Sequence, residues 1–439
     1  MPLRTHDGIA NRAHITSWIA TRAAQPEPGC VKFARQLAFV LSTYGALLPF
    51  EACAEDFDPR RDLSVSGFGT AGLTHNNTGG AEFLRDILQP RGVADGWSAN
   101  VDSRFGLQLN ARFTPEVEGV LQVVSAYNYA GNYDPEVTWA FVSYSPVPDF
   151  KVRGGRLGWD VYMLSDSRDV GYSYLWVRPP VDYYGPLQIS HIDGADLVLK
   201  REAAGGLASV KLYAGYADQK VPTPPAGFLD LAGSRVLGIN LYYQKGDWLV
   251  QGGYTSVRIR NELSSFAPLL AGLRATGSPA AATVADDLAL AGKTITIVAA
   301  GAYYEHGPWQ AQFMLNRQNS NSLAAPERDA GYLSLGYRIE EWTPFAVIAG
   351  TRSKASQYNT GLPLPNPLDD AVATALAGAQ SRQYTLSLGA RYDFMHNADL
   401  KFQLDQVRVQ DGAAFLFRNP QPGWNGRATV FSVALDFVF

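Results

Sequence analysis

The sequence is short of the residues on which several protein classes depend. It has only two cysteines, Cys30 and Cys53, both near the N-terminus, so the rest of the chain holds no disulfide framework and no cysteine metal site. Charged residues make up 18% of the chain, against ~25% in ordinary soluble proteins. The net charge of −4 gives no basic footprint for nucleic acid, which is excluded as a partner. No apolar run reaches ~18 residues, so a helical membrane protein is excluded as well. There are six histidines, and the four beyond residue 54 (His75, His191, His306 and His396) are never three to five residues apart, so helix-style metal spacing is absent.

In their place stand 42 Gly, 22 Tyr, 21 Phe and 9 Trp, with 46% hydrophobic residues, too many for a disordered chain. A length of 439 residues would suggest about three domains at ~150 residues each, but large β-barrels escape that rule. If this chain enters a membrane, it does so with strands.

Residues 31–54 read as a secretory signal peptide. Lys32 and Arg35 form its basic start, Leu37 to Leu48 its apolar middle, and Ala52-Cys53-Ala54 a small-residue cleavage site with Ala52 and Ala54 at the specificity positions. A lipoprotein reading of Cys53 is disfavoured by Phe50-Glu51 ahead of it. Residues 1–30 fit no part of a signal and are expected to come from an upstream start codon assigned in error. Cleavage after Ala54 takes 54 residues from 439 and leaves 385 in one domain, residues 55–439. It also removes five of 37 basic and three of 41 acidic residues, leaving 32 against 38, a net charge of −6 and no cysteine, which suits an oxidising compartment.

Beyond residue 55 the chain breaks into runs of ~10 residues that alternate in polarity, as strands do when one face meets lipid and the other water. In the last run Phe431, Val433, Leu435, Phe437 and Phe439 share one face, and Ser432, Ala434 and Asp436 the other. Strands are expected near 62–74, 101–114, 118–130, 135–146, 150–157, 193–201, 206–217, 232–244, 248–260, 294–305, 309–318, 329–340, 342–352, 380–394, 398–409 and 427–439. That makes sixteen. The third, fourth and thirteenth alternate poorly, so fourteen or eighteen stay open. A soluble sandwich would alternate too, but connections here sort by parity. Those after even strands are brief, such as Lys245-Gly246-Asp247 and His306-Gly307-Pro308, whereas five of those after odd strands are long. Tyr, Trp and Phe flank the short turns (Tyr243 with Trp248, Tyr304 with Trp309, Tyr337 with Trp342), as an interfacial aromatic girdle would. The expected fold is therefore all-β, a transmembrane antiparallel β-barrel.

The C-terminal strand ending in Phe437-Val438-Phe439 looks like the assembly signal of outer-membrane barrels, with Phe437 and Phe439 as its aromatic residues. Together with the signal peptide, the first strand Asp62 to Thr70 and the long third loop, the whole mature chain resembles the sixteen-stranded Gram-negative porins. The resemblance implies a homotrimer in outer-membrane lipid, delivery by the barrel assembly machinery, no cofactor, and a third loop folded into the lumen. That loop, Gly158 to Ile192, carries Asp160, Asp166, Arg168, Asp169, Arg178 and Asp182. Alternation sets Arg104 and Arg112 on the polar face of strand two, Arg338 on strand twelve and Arg391 on strand fourteen, while Arg153 and Arg156 close strand five. Opposed charges across a narrow gap would order water and filter ions and small hydrophilic solutes.

Two other classes stay open. The loop rings Tyr162, Tyr172, Tyr174, Trp176, Tyr183 and Tyr184 could stack on sugars, as in a sugar-preferring channel, or anchor the loop to the wall. A non-transporting barrel, an adhesin or an enzyme, would carry its function in the long loops. For the enzyme, a Ser/His pair using His191 or His75 has no supporting motif. Gly67-Phe68-Gly69 lies in a strand with no helix after it, so it is no phosphate loop. The pairs Asp286-Asp287 and Asp369-Asp370 supply too few oxygens for calcium and read as solvated starts of short helices over the mouth.

Overall fold

The computed structural model describes residues 58–223 and 227–439; the signal segment, Ala52 and Ala54 included, lies outside them. Sixteen long strands form one closed antiparallel barrel. They are β1 (Leu63–Asn76), β2 (Arg104–Arg112), β3 (Val117–Ala126), β4 (Glu136–Val147), β5 (Phe150–Gly158), β6 (His191–Ala203), β7 (Gly206–Ala217) and β8 (Ser234–Lys245) in the first half. The second half is β9 (Trp248–Arg258), β10 (Thr294–His306), β11 (Trp309–Ser320), β12 (Arg328–Tyr337), β13 (Trp342–Ser353), β14 (Ser381–Met395), β15 (Ala398–Ala414) and β16 (Arg427–Val438). Each pairs with its sequence neighbour, and β1 closes the ring on β16 with Phe68 opposite Val438 and Asn76 opposite Val430. One short extra strand, Gly96–Ser98, pairs with the end of β1. Among the described residues no helix is long and apolar enough to cross a membrane.

The expected parity of connections is present. Two residues join β4 to β5, β6 to β7, β8 to β9, β10 to β11 and β14 to β15, all at one end of the barrel, the turn end. At the other end, the loop end, connections run up to 35 residues, from 259 to 293. Tight hairpins need only two residues when adjacent strands are antiparallel, so long connections are a feature of one end alone.

The outer face is an apolar belt. Leu121, Leu237, Leu241, Val298, Leu315, Ile348 and Leu388 are each more than 40% exposed. Soluble monomers rarely show a continuous apolar surface above a few hundred Å². At the turn end, aromatic side chains from paired strands meet across this face: Trp248 with Tyr304, Trp309 with Tyr337 and Trp342 with Tyr392, at ring-centroid distances of 4.6, 4.8 and 4.5 Å. The seam between β1 and β16 uses rings differently. Gly67 and Gly69 leave open the space that the Phe439 and Phe437 rings cover, since a Cβ at either glycine would lie 2.4 Å from a ring carbon.

The inner face is banded, which explains the poor alternation of some strands. Towards the turn end it is polar, with Gln108, Gln122, Gln251, Gln312, Thr343, Arg391 and Lys401 all buried. Towards the loop end it turns apolar: Val236, Val257, Ile295, Ile297, Val347, Val407 and Val430 pack with Phe83 and Ile87 of the first loop and with Leu229 and Leu231 of the fourth. On β13, Phe345, Val347 and Ala349 fill the inner face while Ile348 lies outside, so both faces read as oily. On β4 the cause is a register shift: Gln122 faces Trp139, but the next residue, Val123, faces Val137.

Over the loop end, three helices from the fifth and seventh loops, α1 (Ala267–Ala275), α2 (Pro279–Leu288) and α3 (Pro367–Ala379), share a small core of Leu270, Leu273, Val284, Leu288, Val372 and Leu376. Asn366 caps α3, and Asp369 and Asp370 lie in its first turn, so this acidic pair occupies a helix start. Asp286 and Asp287 lie near the end of α2 instead, and Asp286 pairs with Arg274 of α1 at 2.8 Å.

Candidate functional site: loop three in the lumen

The third loop, residues 159–190, folds into the barrel and is held there at several levels. Near the turn end, Arg391 donates to the carbonyls of Tyr172 and Tyr174 at 2.8 and 3.1 Å, Lys401 donates to Gly171 at 2.7 Å, and the Tyr172 hydroxyl donates to the His396 carbonyl in the β14–β15 turn. These cations are themselves neutralised: Arg391 pairs with Asp393 and Asp399 at 2.7 and 2.9 Å, and Lys401 with Asp436 at 2.9 Å. Deeper in the wall, Trp176 Nε1 donates to Ser334 Oγ at 2.8 Å and the Val177 amide donates to Gln403 at 3.0 Å.

Arg178 forms the centre of the anchor. It is 1% exposed and donates to Asp102 at 2.9 and 2.6 Å, to Asp405 at 2.9 Å and to Thr74 and Ser432, which joins loop three to loop one and to β1, β15 and β16. Arg85 of loop one adds a second cation to Asp102 at 3.1 Å. Burial alone would raise the Asp102 carboxyl, but Arg178 and Arg85 outweigh it and hold it well below the usual carboxylate range. Asp182 lies in a helical turn further along and is fully buried; burial pushes it up to about 6 against the pull of Thr385 and Gln383.

The first part of the loop carries the remaining candidates. Asp160 receives Lys211 at 3.1 Å and the Tyr242 hydroxyl at 2.6 Å. Arg104 on β2 meets Asp169 directly at 2.5 Å, so this wall cation and this loop acid are in contact. Burial opposes ionisation of Asp169, but Arg104 and Arg168 prevail and keep its carboxyl low. Asp166 forms no ion pair among the described residues. Burial, helped by the negative Asp160, raises its carboxyl to about 6 despite Lys211 and Arg153.

Two chambers flank the stretch Asp166–Asp169. Asp166 and Ser167 line a cavity of about 270 Å³ that extends to Asp247, Tyr303 and Glu305 at the turn end. Arg168 and Asp169 line another of about 410 Å³, which reaches Asp86 of loop one, Tyr127 and Asp134 of loop two and Lys220 of loop four at the loop end. Four consecutive residues of loop three thus contribute to both cavities.

The other expected residues fall into distinct places. Arg153 grips Asp196 on β6 with bonds of 2.9 and 2.5 Å at the lumen wall. Arg156 sits at the loop-end rim, bound to Asp193 and Asp218. Alternation put Arg338 on the polar face of strand twelve, but β12 ends at Tyr337, and Arg338 stands in the following turn, 3.8 Å from Glu305. Arg112 ends β2 at the same end, 3.6 Å from Asp62. Both lie at the turn-end rim rather than opposite loop three. Of the six loop rings, Tyr162, Tyr183 and Tyr184 pack on one another and on Tyr332, while Tyr174 and Trp176 line the smaller chamber. His191 bridges Ser190 Oγ and Asp218 Oδ1, each at 2.9 Å, but Ser190 is its own neighbour in sequence and Asp218 is shared with Arg156 and Gln219; this ties the rim together. Among the described residues no group of three His, Cys, Asp or Glu is placed to hold a metal.

Sequence reasoning missed Asp102, Arg85, Asp405, Lys401, Asp399, Asp196 and Lys211. Five of these are charges inside strands, at positions that alternation turns away from lipid, and that was the available signal.

No family model and no curated protein matches the chain. Solved structures do. OmpT with loop L8 deleted, an outer-membrane protein of Vibrio cholerae, superposes with a TM-score of 0.52 at 13% identity, covering 86% of this chain and 100% of that one. The outer-membrane channel DcaP of Acinetobacter baumannii gives 0.52 at 11% identity, covering 86% and 97%. An anion-selective porin from Comamonas acidovorans gives 0.50 at 13%, covering 86% and 99%. The chain has the sixteen-stranded porin fold. Identities this low speak to the fold alone.

Proposed function

We propose that this porin-like chain is a passive diffusion channel of a Gram-negative outer membrane, admitting ions and small hydrophilic solutes. The observation that carries the proposal is the pair of chambers on either side of Asp166–Asp169. With the turn end in the periplasm and the loop end outside, a solute would enter beside Arg104, Arg156 and Lys220, pass the loop, and leave beside Asp247 and Glu305. Filtering follows from charge: Arg104 with Arg168 faces one side of the stretch and Asp166 the other, so a passing ion meets fixed charges of both signs in a partly dehydrated gap.

The apolar belt and its aromatic edge support residence in outer-membrane lipid. The signal segment at 31–54 and the terminal Phe437 and Phe439 support export through the periplasm and insertion by the barrel assembly machinery. A homotrimer is the expected assembly, since Vibrio cholerae OmpT, of the same fold, is known in a trimer form.

Planar-bilayer recording of the purified, refolded protein tests the reading. Stable ohmic steps support a channel. Silence across salt and voltage, with the barrel demonstrably folded, would favour a non-transporting barrel whose loops carry its role.

A further inference from the structure

The smaller chamber has an unusual set of walls. Asp160, Asp166, Asp247 and Glu305 all line it, and no lysine or arginine does among the described residues. Three of the four have partners behind the wall, Lys211, His306 and Arg338, but Asp166 has none among the described residues. Rings line it too: Tyr174 and Trp176 from loop three, stacked at 6.0 Å, and Tyr242 and Tyr303 from the barrel. Gln312, 4% exposed, lines the same space, and its Nε2, with the Tyr332 hydroxyl near it, makes no hydrogen bond of good geometry among the described residues.

From this geometry we infer that the turn-end chamber is a binding site for a small ring-bearing organic cation that also carries a hydroxyl oxygen. Each part of that description answers one wall. Four carboxylates, one of them without an ion pair, favour a positive charge, and aromatic faces reinforce the choice because their π-clouds attract cations. The ring fills the apolar remainder. The oxygen gives the Gln312 amide something to donate to, which matters because an unpaired buried donor costs the folded chain free energy. A volume of about 270 Å³ lies near the lower end of small-molecule pockets, ~300 Å³, so the ligand must be small. An anion would meet the unpaired Asp166 and three further carboxylates, with no cation among the described lining residues.

The site needs only the folded barrel, so it can be tested whether or not the chain conducts. Isothermal titration of the refolded protein in non-ionic detergent would use three probes of one shape: tyramine, its neutral alcohol analogue tyrosol, and 4-hydroxyphenylacetate. Tyramine should bind saturably and at least tenfold tighter than tyrosol, with no binding of the acid. Asp166→Asn should weaken tyramine about tenfold and leave tyrosol unchanged; because Asp166 carries no ion pair, this variant should fold, and its heat-modified band on a gel checks that it does. Equal binding of tyramine and tyrosol would overturn the inference in favour of a neutral, sugar-like ligand, and tyramine binding unaffected by Asp166→Asn would place the cation elsewhere.

Discussion

Arg178 in loop three donates two hydrogen bonds to Asp102 at the end of loop one, 2.9 and 2.6 Å long, with the two side chains 1% and 0% exposed. A charge pair this deep contributes little net stability as a pair, yet removing one member strands the other in a dry interior, typically at ~3–5 kcal/mol. Arg178→Met leaves Asp405 without its cation and Asp102 with Arg85 alone, and should lower the unfolding midpoint of the refolded barrel. It should also release the loop, seen as faster proteolysis between Trp159 and Ser190 and as added noise in single-channel current. Asp102→Asn should lower the midpoint as well, because Asp405 still balances Arg178 but the buried Arg85 loses its carboxylate.

Asp166 and Asp169 are three residues apart, yet their surroundings predict different effects. Asp169 is spoken for by Arg104, so Asp169→Asn uncovers a cation at the loop-end chamber. Asp166→Asn only deletes a charge from the other chamber. Both should move the reversal potential in a salt gradient toward anions, and Asp169→Asn more strongly. No shift in either variant would remove this stretch from the filter.

The barrel was legible in the sequence because its cause is local. A strand with lipid outside and polar side chains inside writes alternation into every second residue, and the two-residue turns write parity into the spacing. Each of the sixteen expected runs overlaps a strand. What was hidden depends on contacts between distant segments. Arg178 looked like a pore charge because nothing nearby in sequence pairs with it; its partners lie 76 and 227 residues away. The apolar inner band was hidden for a similar reason, since Val347 and Ile297 face inward onto loops whose fold the strand pattern does not encode.

Acid should affect the loop in two opposing ways. The raised carboxyls, Asp166 and Asp182 at about 6, bind their protons more tightly in the folded chain than in the unfolded one, where ~3.9 is usual. Lowering the pH from 7.5 towards 4 therefore favours the folded state through these groups. Asp102 has the reverse sign: its contribution is present above the unfolded value and is lost as pH falls through its lower folded one. The heat-modification midpoint should hold or rise from pH 7.5 to 5 and drop only in stronger acid. Asp182→Asn should flatten the rise. Over the same interval cation preference should decline as Asp166 takes up its proton, while Asp169 stays charged.

The closing seam gives the last prediction. The Phe439 amide donates to the Gly67 carbonyl at 3.0 Å and its own carbonyl accepts from the Gly67 amide at 2.9 Å, so the last residue is tied to the first strand by both backbone groups. Its ring lies over Gly67 and stacks near Phe105 of β2 at 6.4 Å, and the Phe437 ring covers Gly69. A strand glycine normally weakens a sheet, but here a neighbouring ring covers the bare backbone. Gly69→Ala would drive its methyl into the Phe437 ring and should cost ~1–3 kcal/mol, the usual range for overpacking. The fall should appear as a lower heat-modification midpoint and slower folding into lipid vesicles. Gly69→Ala combined with Phe437→Leu should recover much of the loss, since the smaller side chain leaves room for the methyl. A double variant as unstable as Gly69→Ala alone would mean that the glycine is needed for the backbone itself and that the ring contact is incidental.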